Sequence, residues 1–177
     1  MKLLIASDIH GSLYYLNKII EQFENTNADK LILLGDLYYH GPRNPLPKDY
    51  NPMEVSKELN KIKDKLMVIK GNCDAEVDEM ISDFSFEEHI TLKINEKIFY
   101  FTHGHHSNID NIPENIDVLV YGHFHTGFIK EKDGVLCINS GSVSLPKNNT
   151  PNSYLLITDE FIELKDIENN LIEKCKF

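Results

Sequence analysis

The chain has 177 residues, with 18 Lys and Arg against 28 Asp and Glu and a formal charge of −10. That length suits a single domain spanning residues 1–177, able to bury a core without disulfides or a structural metal. The acidic balance argues against a broad nucleic-acid-binding surface, so a nucleic-acid polymer is not an expected partner, although bound cations could supply local positive charge. Cys73, Cys137 and Cys175 stand at irregular spacing with no Cys-x-x-Cys pair, which fits reduced thiols. Only Leu3 to Ala6 separate Lys2 from Ser7, far short of the roughly 7–15 apolar residues of a signal segment. No run approaches the ~20 apolar residues of a membrane span. A soluble, cytoplasmic chain is expected, and nothing in the sequence excludes a homo-oligomer.

Lys2 to Ser7 is a short apolar run that reads as a buried strand, and Leu13, Leu16, Ile19, Ile20 and Phe23 behind it place an amphipathic helix from about Gly11. Lys30 to Leu34 is a second strand. The stretch from Tyr38 to Pro52 holds too many turn formers for regular structure and reads as a long loop beside a site. Val55, Leu59, Ile62 and Leu66 recur at helical spacing behind Pro52, before a strand over Met67 to Lys70. The first part of the chain is therefore βαβαβ. Beyond it, Ile90 to Ile94 and Ile98 to Thr102 flank Asn95-Glu96-Lys97 as a hairpin, and Phe128 to Glu131 pairs with Val135 to Asn139 across Asp133-Gly134. Tyr154 to Thr158 and Phe161 to Lys165 form another hairpin, and Leu171 to Lys176 is a candidate last strand. These later strands are expected to be antiparallel. A parallel half followed by an antiparallel half predicts an α/β (α+β) fold of two mixed sheets packed face to face with helices outside.

Seven residues with ligating side chains follow strand-like runs: Asp8 and His10, Asp36, Asn72, His103, then His123 and His125. Asp8 and His10 are two apart, as are His123 and His125, so on an extended strand end each pair points to one side. Imidazole with carboxylate suits Mn²⁺, Fe²⁺, Co²⁺, Ni²⁺ or Zn²⁺ better than Mg²⁺ or Ca²⁺. Two ions about 3.5–4 Å apart need a shared ligand, and a carboxylate such as Asp36 is the natural bridge. Asn72 adds a neutral amide oxygen that limits negative charge at the site.

Taken in order, Asp-x-His, Gly-Asp, Gly-Asn-x-Asp, His-Gly-His and Gly-His-x-His resemble the calcineurin-like metallophosphoesterase superfamily. Ser7-Asp8-Ile9-His10-Gly11-Ser12 and His40-Gly41-Pro42-Arg43-Asn44 are similar to its small YfcE-type phosphodiesterase branch. The resemblance implies a four-layer αββα sandwich. It also implies that Asp8, His10, Asp36 and His125 hold one ion, and that Asp36, Asn72, His103 and His123 hold the other. The implied cofactors are two divalent transition-metal ions, Mn²⁺ first, with Fe, Ni, Co or Zn as alternatives. The implied activity is dinuclear metal-dependent hydrolysis of small phosphate esters by a metal-bridging hydroxide. The rival readings are an interaction scaffold like the retromer subunit Vps29, which would not need an intact ligand set, and a nuclease, which the acidic balance disfavours.

Four further residues are candidate catalytic groups. Cys73 stands where many superfamily members carry His; a thiol with an ordinary pKa near 8.5 is a poorer acid and carries no positive charge, so alkoxide leaving groups should suffer more than aryl ones. Asp74 is expected to hydrogen-bond Cys73, a neighbouring ligand, or the next turn. Arg43 could clamp a phosphate oxygen. His105 is a candidate substrate contact or a support for the ligands. Asn139-Ser140-Gly141-Ser142 is read as a tight turn beneath the site, and Tyr38 and Tyr39 as pocket lining or loop packing.

Overall fold

Period-two alternation sorts the strand side chains onto two faces, and that sorting builds the molecule. The computed structural model describes residues 1–177. In β1 (Leu3–Ala6), Leu3 and Ile5 point between two sheets, while Leu4 and Ala6 point to a helical layer. Next to it, β2 (Lys30–Leu33) and β3 (Leu66–Val68) run parallel, and β9 (Ser153–Ile157), β10 (Phe161–Asp166) and β11 (Leu171–Lys176) extend the same sheet antiparallel on the other side. Between Phe23 and Leu31, Asn27 closes the first helix in a left-handed conformation.

That helix, α1 (Leu13–Thr26), starts when the Ser12 hydroxyl accepts from the Tyr15 N–H, and it buries Leu16, Ile19 and Phe23. A second, α2 (Pro52–Lys61), is capped by Asn51 with Pro52 in its first turn. Both pack on the outer face of the six-stranded sheet. A short α3 (Glu76–Met80), not expected from the sequence, follows the third strand.

The second sheet has the order β4-β5-β6-β8-β7, from β4 (His89–Ile94), β5 (Lys97–Thr102), β6 (Val118–Tyr121), β7 (Phe128–Lys132) and β8 (Val135–Asn139). The three expected hairpins and the last strand are present, but the second half is not wholly antiparallel. β6 enters between β5 and β8 and runs parallel to both. Phe99, Phe101, Val118, Val120 and Ile138 face the first sheet and close the core between the two. The outer face, Leu119, Tyr121 and Cys137, is covered by irregular chain carrying Ile109, Ile112 and Ile116, so the layer beyond this sheet contains no helix. No helix is long and apolar enough to cross a membrane, and all three cysteines are free.

The architecture positions one rim. β1, β2 and β3 end there in one sheet, and β5, β6 and β8 end there in the other, so the segment after each C-terminal end can converge.

The two-residue turns differ in chemistry. Asp133-Gly134 carries its second left-handed φ on glycine, whereas Asn95-Glu96 places it on exposed Glu96 at φ 67. Replacing Glu96 by Gly is expected to stabilise the protein by about 1 kcal/mol, the cost of holding a side chain in that region. For a chain of this size the gain should appear as a rise of about 2–4 °C in thermal midpoint. An unchanged or lower midpoint would contradict the turn assignment.

Candidate metal centre

Five of the seven expected ligands sit in the left-handed region: Asp8 at φ 58, His10 at 51, Asp36 at 57, His123 at 61 and His125 at 58. This corrects the picture of paired side chains on an extended strand end. The strands stop at Ala6 and Tyr121, and the side chains are brought together by turns whose backbone only Asp, Asn, His and Gly adopt readily. Each such residue costs on the order of 1 kcal/mol, and the surrounding hydrogen bonds offset it. Asp8, His10 and Gly11 donate their N–H groups to the carbonyls of Gly35, Asp36 and Leu37 at 3.1, 2.9 and 2.8 Å, zipping the first two ligand loops together. The Asp8 carbonyl accepts from the hydroxyls of Ser142 and Ser144 at 2.9 and 2.8 Å, so the Asn139–Ser142 turn does lie beneath the site.

The imidazoles are aimed from behind. The Nδ1–H groups of His10, His103 and His125 donate to the carbonyls of Tyr39, Leu34 and Leu145 at 2.7, 2.7 and 2.6 Å, which leaves each Nε2 facing inward. His125 Nε2 lies 3.1 Å and His10 Nε2 3.5 Å from Asp8 Oδ1, and the two ring nitrogens are 3.3 Å apart. Asp36 Oδ2 stands between His10 Nε2 at 3.7 Å and His103 Nε2 at 3.5 Å. Around His103 Nε2 gather Asn72 Oδ1 at 3.0 Å and His123 Nδ1 at 3.2 Å. The structure thus brings all seven residues together, with Asp36 between two groups.

Asp8 is fully buried, and its Oδ1 has no hydrogen-bond donor. A buried carboxylate oxygen facing imidazole nitrogens is costly unless a cation takes the place of a donor, so this donor set fits divalent ions. Three overlapping groups, Asp8-His10-His125, His10-Asp36-Cys73 and Asp8-Asp36-His103, have the spacing to hold them. The electrostatics agree. Burial opposes charge on Asp8 and Asp36, yet the His10 and His125 rings hold Asp8 well below the usual carboxylate range, and His103 lowers Asp36. Burial likewise opposes charge on His103, but the Asp36 carboxylate raises it to about 9. His123, half-buried beside His103, is lowered by burial and by that neighbour.

Asp74 does not line the cavity beside these ligands. Its Oδ2 accepts from the N–H groups of Asp36 and Gly71, both at 2.7 Å, and its Oδ1 from Leu37 at 2.8 Å. Asp74 is therefore a strut joining the loops of Asp36 and Asn72, and of the three partners expected for it the structure shows the neighbouring ligand, Asp36, through its backbone N–H. Gly71 is obligatory beside it, because a Cβ there would collide with the Asp36 carboxylate and amide. Cys73 stays at the site: its N–H donates to Asp36 Oδ1 at 2.8 Å, and burial with the Asp36 charge pushes its thiol up to about 12.

A cavity of about 430 Å³ opens over the cluster, walled by Gly41, Pro42, Arg43 and Asn44 on one side and Lys147 on another. Arg43 is thus at the site, but His105 is not on this wall. It is exposed, lies against the His106 ring at 4.0 Å with the rings tilted by 43°, and faces a neighbouring cavity. Tyr38 is core, with its hydroxyl 2.6 Å from Ser82, and Tyr39 serves through its carbonyl. Sequence reasoning missed Lys147 and Ser144; the only signal for Lys147 was a loop after a strand.

A two-sheet fold with these ligands at its rim defines a metallophosphoesterase class, and the profile of the calcineurin-like phosphoesterase superfamily domain matches residues 1–160. The chain belongs to that superfamily. Phosphodiesterase YfcE of Escherichia coli is 40% identical over 93% of this chain and 91% of its own. The structure of that phosphoesterase matches with a TM-score of 0.95 at 36% identity over 99% of both chains. Phosphodiesterase MJ0936 of Methanocaldococcus jannaschii is 29% identical over 90% of this chain and 95% of its own. Vps29 of Entamoeba histolytica, solved with Zn²⁺, shares the fold at a TM-score of 0.65 and 19% identity over 99% of both chains.

The strut can be tested directly. Asp74→Asn would turn an amide N–H₂ toward at least one of the three backbone donors, costing about 1–3 kcal/mol. Urea unfolding should report that loss, together with reduced metal retention; a variant of native stability would argue against the strut.

Proposed function

We propose that this chain is a phosphodiesterase that hydrolyses small phosphate diesters with two divalent transition-metal ions, Mn²⁺ being the expected pair. The observation that carries the reading is Asp8 Oδ1, buried without a donor among inward-facing imidazole nitrogens, next to an Asp36 oxygen lying between His10 and His103. In this reading Asp8, His10, Asp36 and His125 hold one ion, and Asp36, Asn72, His103 and His123 the other. When bound, such a pair would supply an activated water and neutralise charge on phosphorus. The similarity to two proteins named as phosphodiesterases supports the substrate class.

The chain's own groups set the rest. Carbonyls behind three rings keep the proton on Nδ1, so that each Nε2 can present a lone pair once any proton it carries is displaced, and Asp74 ties the Asp36 loop to that of Asn72. Asn72 contributes a neutral oxygen. Cys73 remains a protonated thiol and offers no positive charge to a leaving oxygen.

Ion uptake has to displace protons from the raised imidazoles. Below about 9 the metal-free His103 is protonated, and His10 is raised as well. Affinity should therefore climb with pH toward that value and collapse in mild acid. Calorimetry at neutral pH in buffers of different ionisation heat should show release of about one proton or more per protein; buffer-independent heats would show that His103 holds no proton for the ions to displace. Asp36→Ala should lose both metal and turnover. With the wild type, aryl diesters should be cleaved far faster than alkyl diesters, and Cys73→His should narrow that gap. Equal leaving-group dependence in the two proteins would remove Cys73 from the account.

A further inference from the structure

The chain is strongly acidic, and most of its cations have a partner elsewhere in the molecule. Of its 18 Lys and Arg side chains, ten pair with carboxylates, two donate to backbone carbonyls and four lie over aromatic rings. The two left over are Arg43 and Lys147, and both line the same cavity. Chance would scatter unpaired cations over the surface. Here they are gathered beside the ligand cluster.

Their backbones are tied to the ligands. The Lys147 N–H donates to the His125 carbonyl at 2.8 Å, two residues after Leu145 takes the His125 ring. Arg43 follows Gly41 at φ 81 and Pro42, and the Asn44 side chain donates to the His40 carbonyl at 2.8 Å, next to Tyr39, which takes the His10 ring. Both cations are therefore carried on short, braced segments rather than free loop tips.

Charge balance at the reacting phosphate would not call on them. If two divalent ions were held by the two carboxylates, two positive charges would remain, enough to offset a singly charged diester and a hydroxide, while Asp74 spends its charge on three backbone N–H groups. Arg43 and Lys147 are then surplus positive charge at the mouth, in a cavity lined mainly by polar side chains. A guanidinium and an ammonium without a partner in the protein are suited to carboxylate or phosphate oxygens. We infer that they form a second anion subsite, and that the preferred substrate is a phosphodiester whose retained alcohol carries a further anionic group. This rests on the phosphodiesterase reading above and narrows it.

The test compares p-nitrophenyl phosphodiesters whose second alcohol is ethyl, 2-carboxyethyl, 2-phosphoethyl or choline, with release of p-nitrophenol by water as the common readout. At low ionic strength kcat/KM for the two anionic substituents should exceed that for ethyl by roughly tenfold, with choline lowest, and added salt should erode the preference. The carboxylate and phosphate arms show which group the subsite prefers. In Arg43→Gln with Lys147→Gln the ratio should fall toward one, while Lys147→Arg should keep it. No preference in the wild type, or an equal loss on all four esters in the double variant, would overturn the inference, the latter by putting the cations on the reacting phosphate. Calorimetric binding of 2-carboxyethylphosphonate against propylphosphonate to the metal-loaded protein reads the same preference without turnover. If no ester is cleaved with any divalent ion the phosphodiesterase reading fails, and equal phosphonate affinities would separately defeat the subsite.

Discussion

Asp8 places a carboxylate at the bottom of the rim, shielded from water, with one oxygen accepting from the His123 N–H and the other facing only ring nitrogens. Leaving such an oxygen without a donor would cost more than most single interactions contribute to folding. The surrounding construction makes sense as the support of that arrangement. Two serine hydroxyls hold the Asp8 carbonyl, backbone hydrogen bonds zip its turn to that of Asp36, and Gly122 lets the third loop approach so closely that a Cβ would meet Ser7 and the Asp8 carboxylate. The strained left-handed turns are tolerated because each is held from several directions.

Much of this was legible in the sequence. Apolar runs ending in Asp or His marked the ligand loops, dipeptides such as Asp133-Gly134 marked the hairpins, and apolar side chains at helical spacing behind Gly11 and Pro52 marked the two long helices. What was not legible has physical reasons. Val118–Tyr121 is as apolar and as buried as Leu3–Ala6, but no turn pair ties it to a neighbour, so its parallel insertion between two hairpins has no local sign. The cover over Leu119 and Tyr121 is apolar side chains on irregular backbone, which has no period to detect. Left-handed ligand turns look, as text, like the ends of strands. The part played by Asp74 depends on three N–H groups from two loops, a coincidence that exists only after folding.

The electrostatic layout is local rather than global. A net charge of −10 repels anions from most of the surface, and the ion pairs that would soften it are largely exposed, where each is worth little. A phosphate ester approaching this protein therefore finds attraction chiefly at one mouth. Selectivity and docking geometry are both concentrated there, and long polyanions gain nothing from the rest of the molecule.

The ligands come from both sheets: Asp8, Asp36 and Asn72 from loops of the six-stranded one, His103, His123 and His125 from the five-stranded one. Away from the rim the sheets are joined by apolar packing, which has no preferred sliding direction. Ions gripped from both sides would act as rivets, fixing the lateral registry of one sheet on the other, and a ligand present at about a hundred times its dissociation constant adds about 2.7 kcal/mol to stability. Catalytic metal and mechanical fastener would then be the same object. Stripping it would free the two sheets to shear at this edge before the sandwich came apart elsewhere.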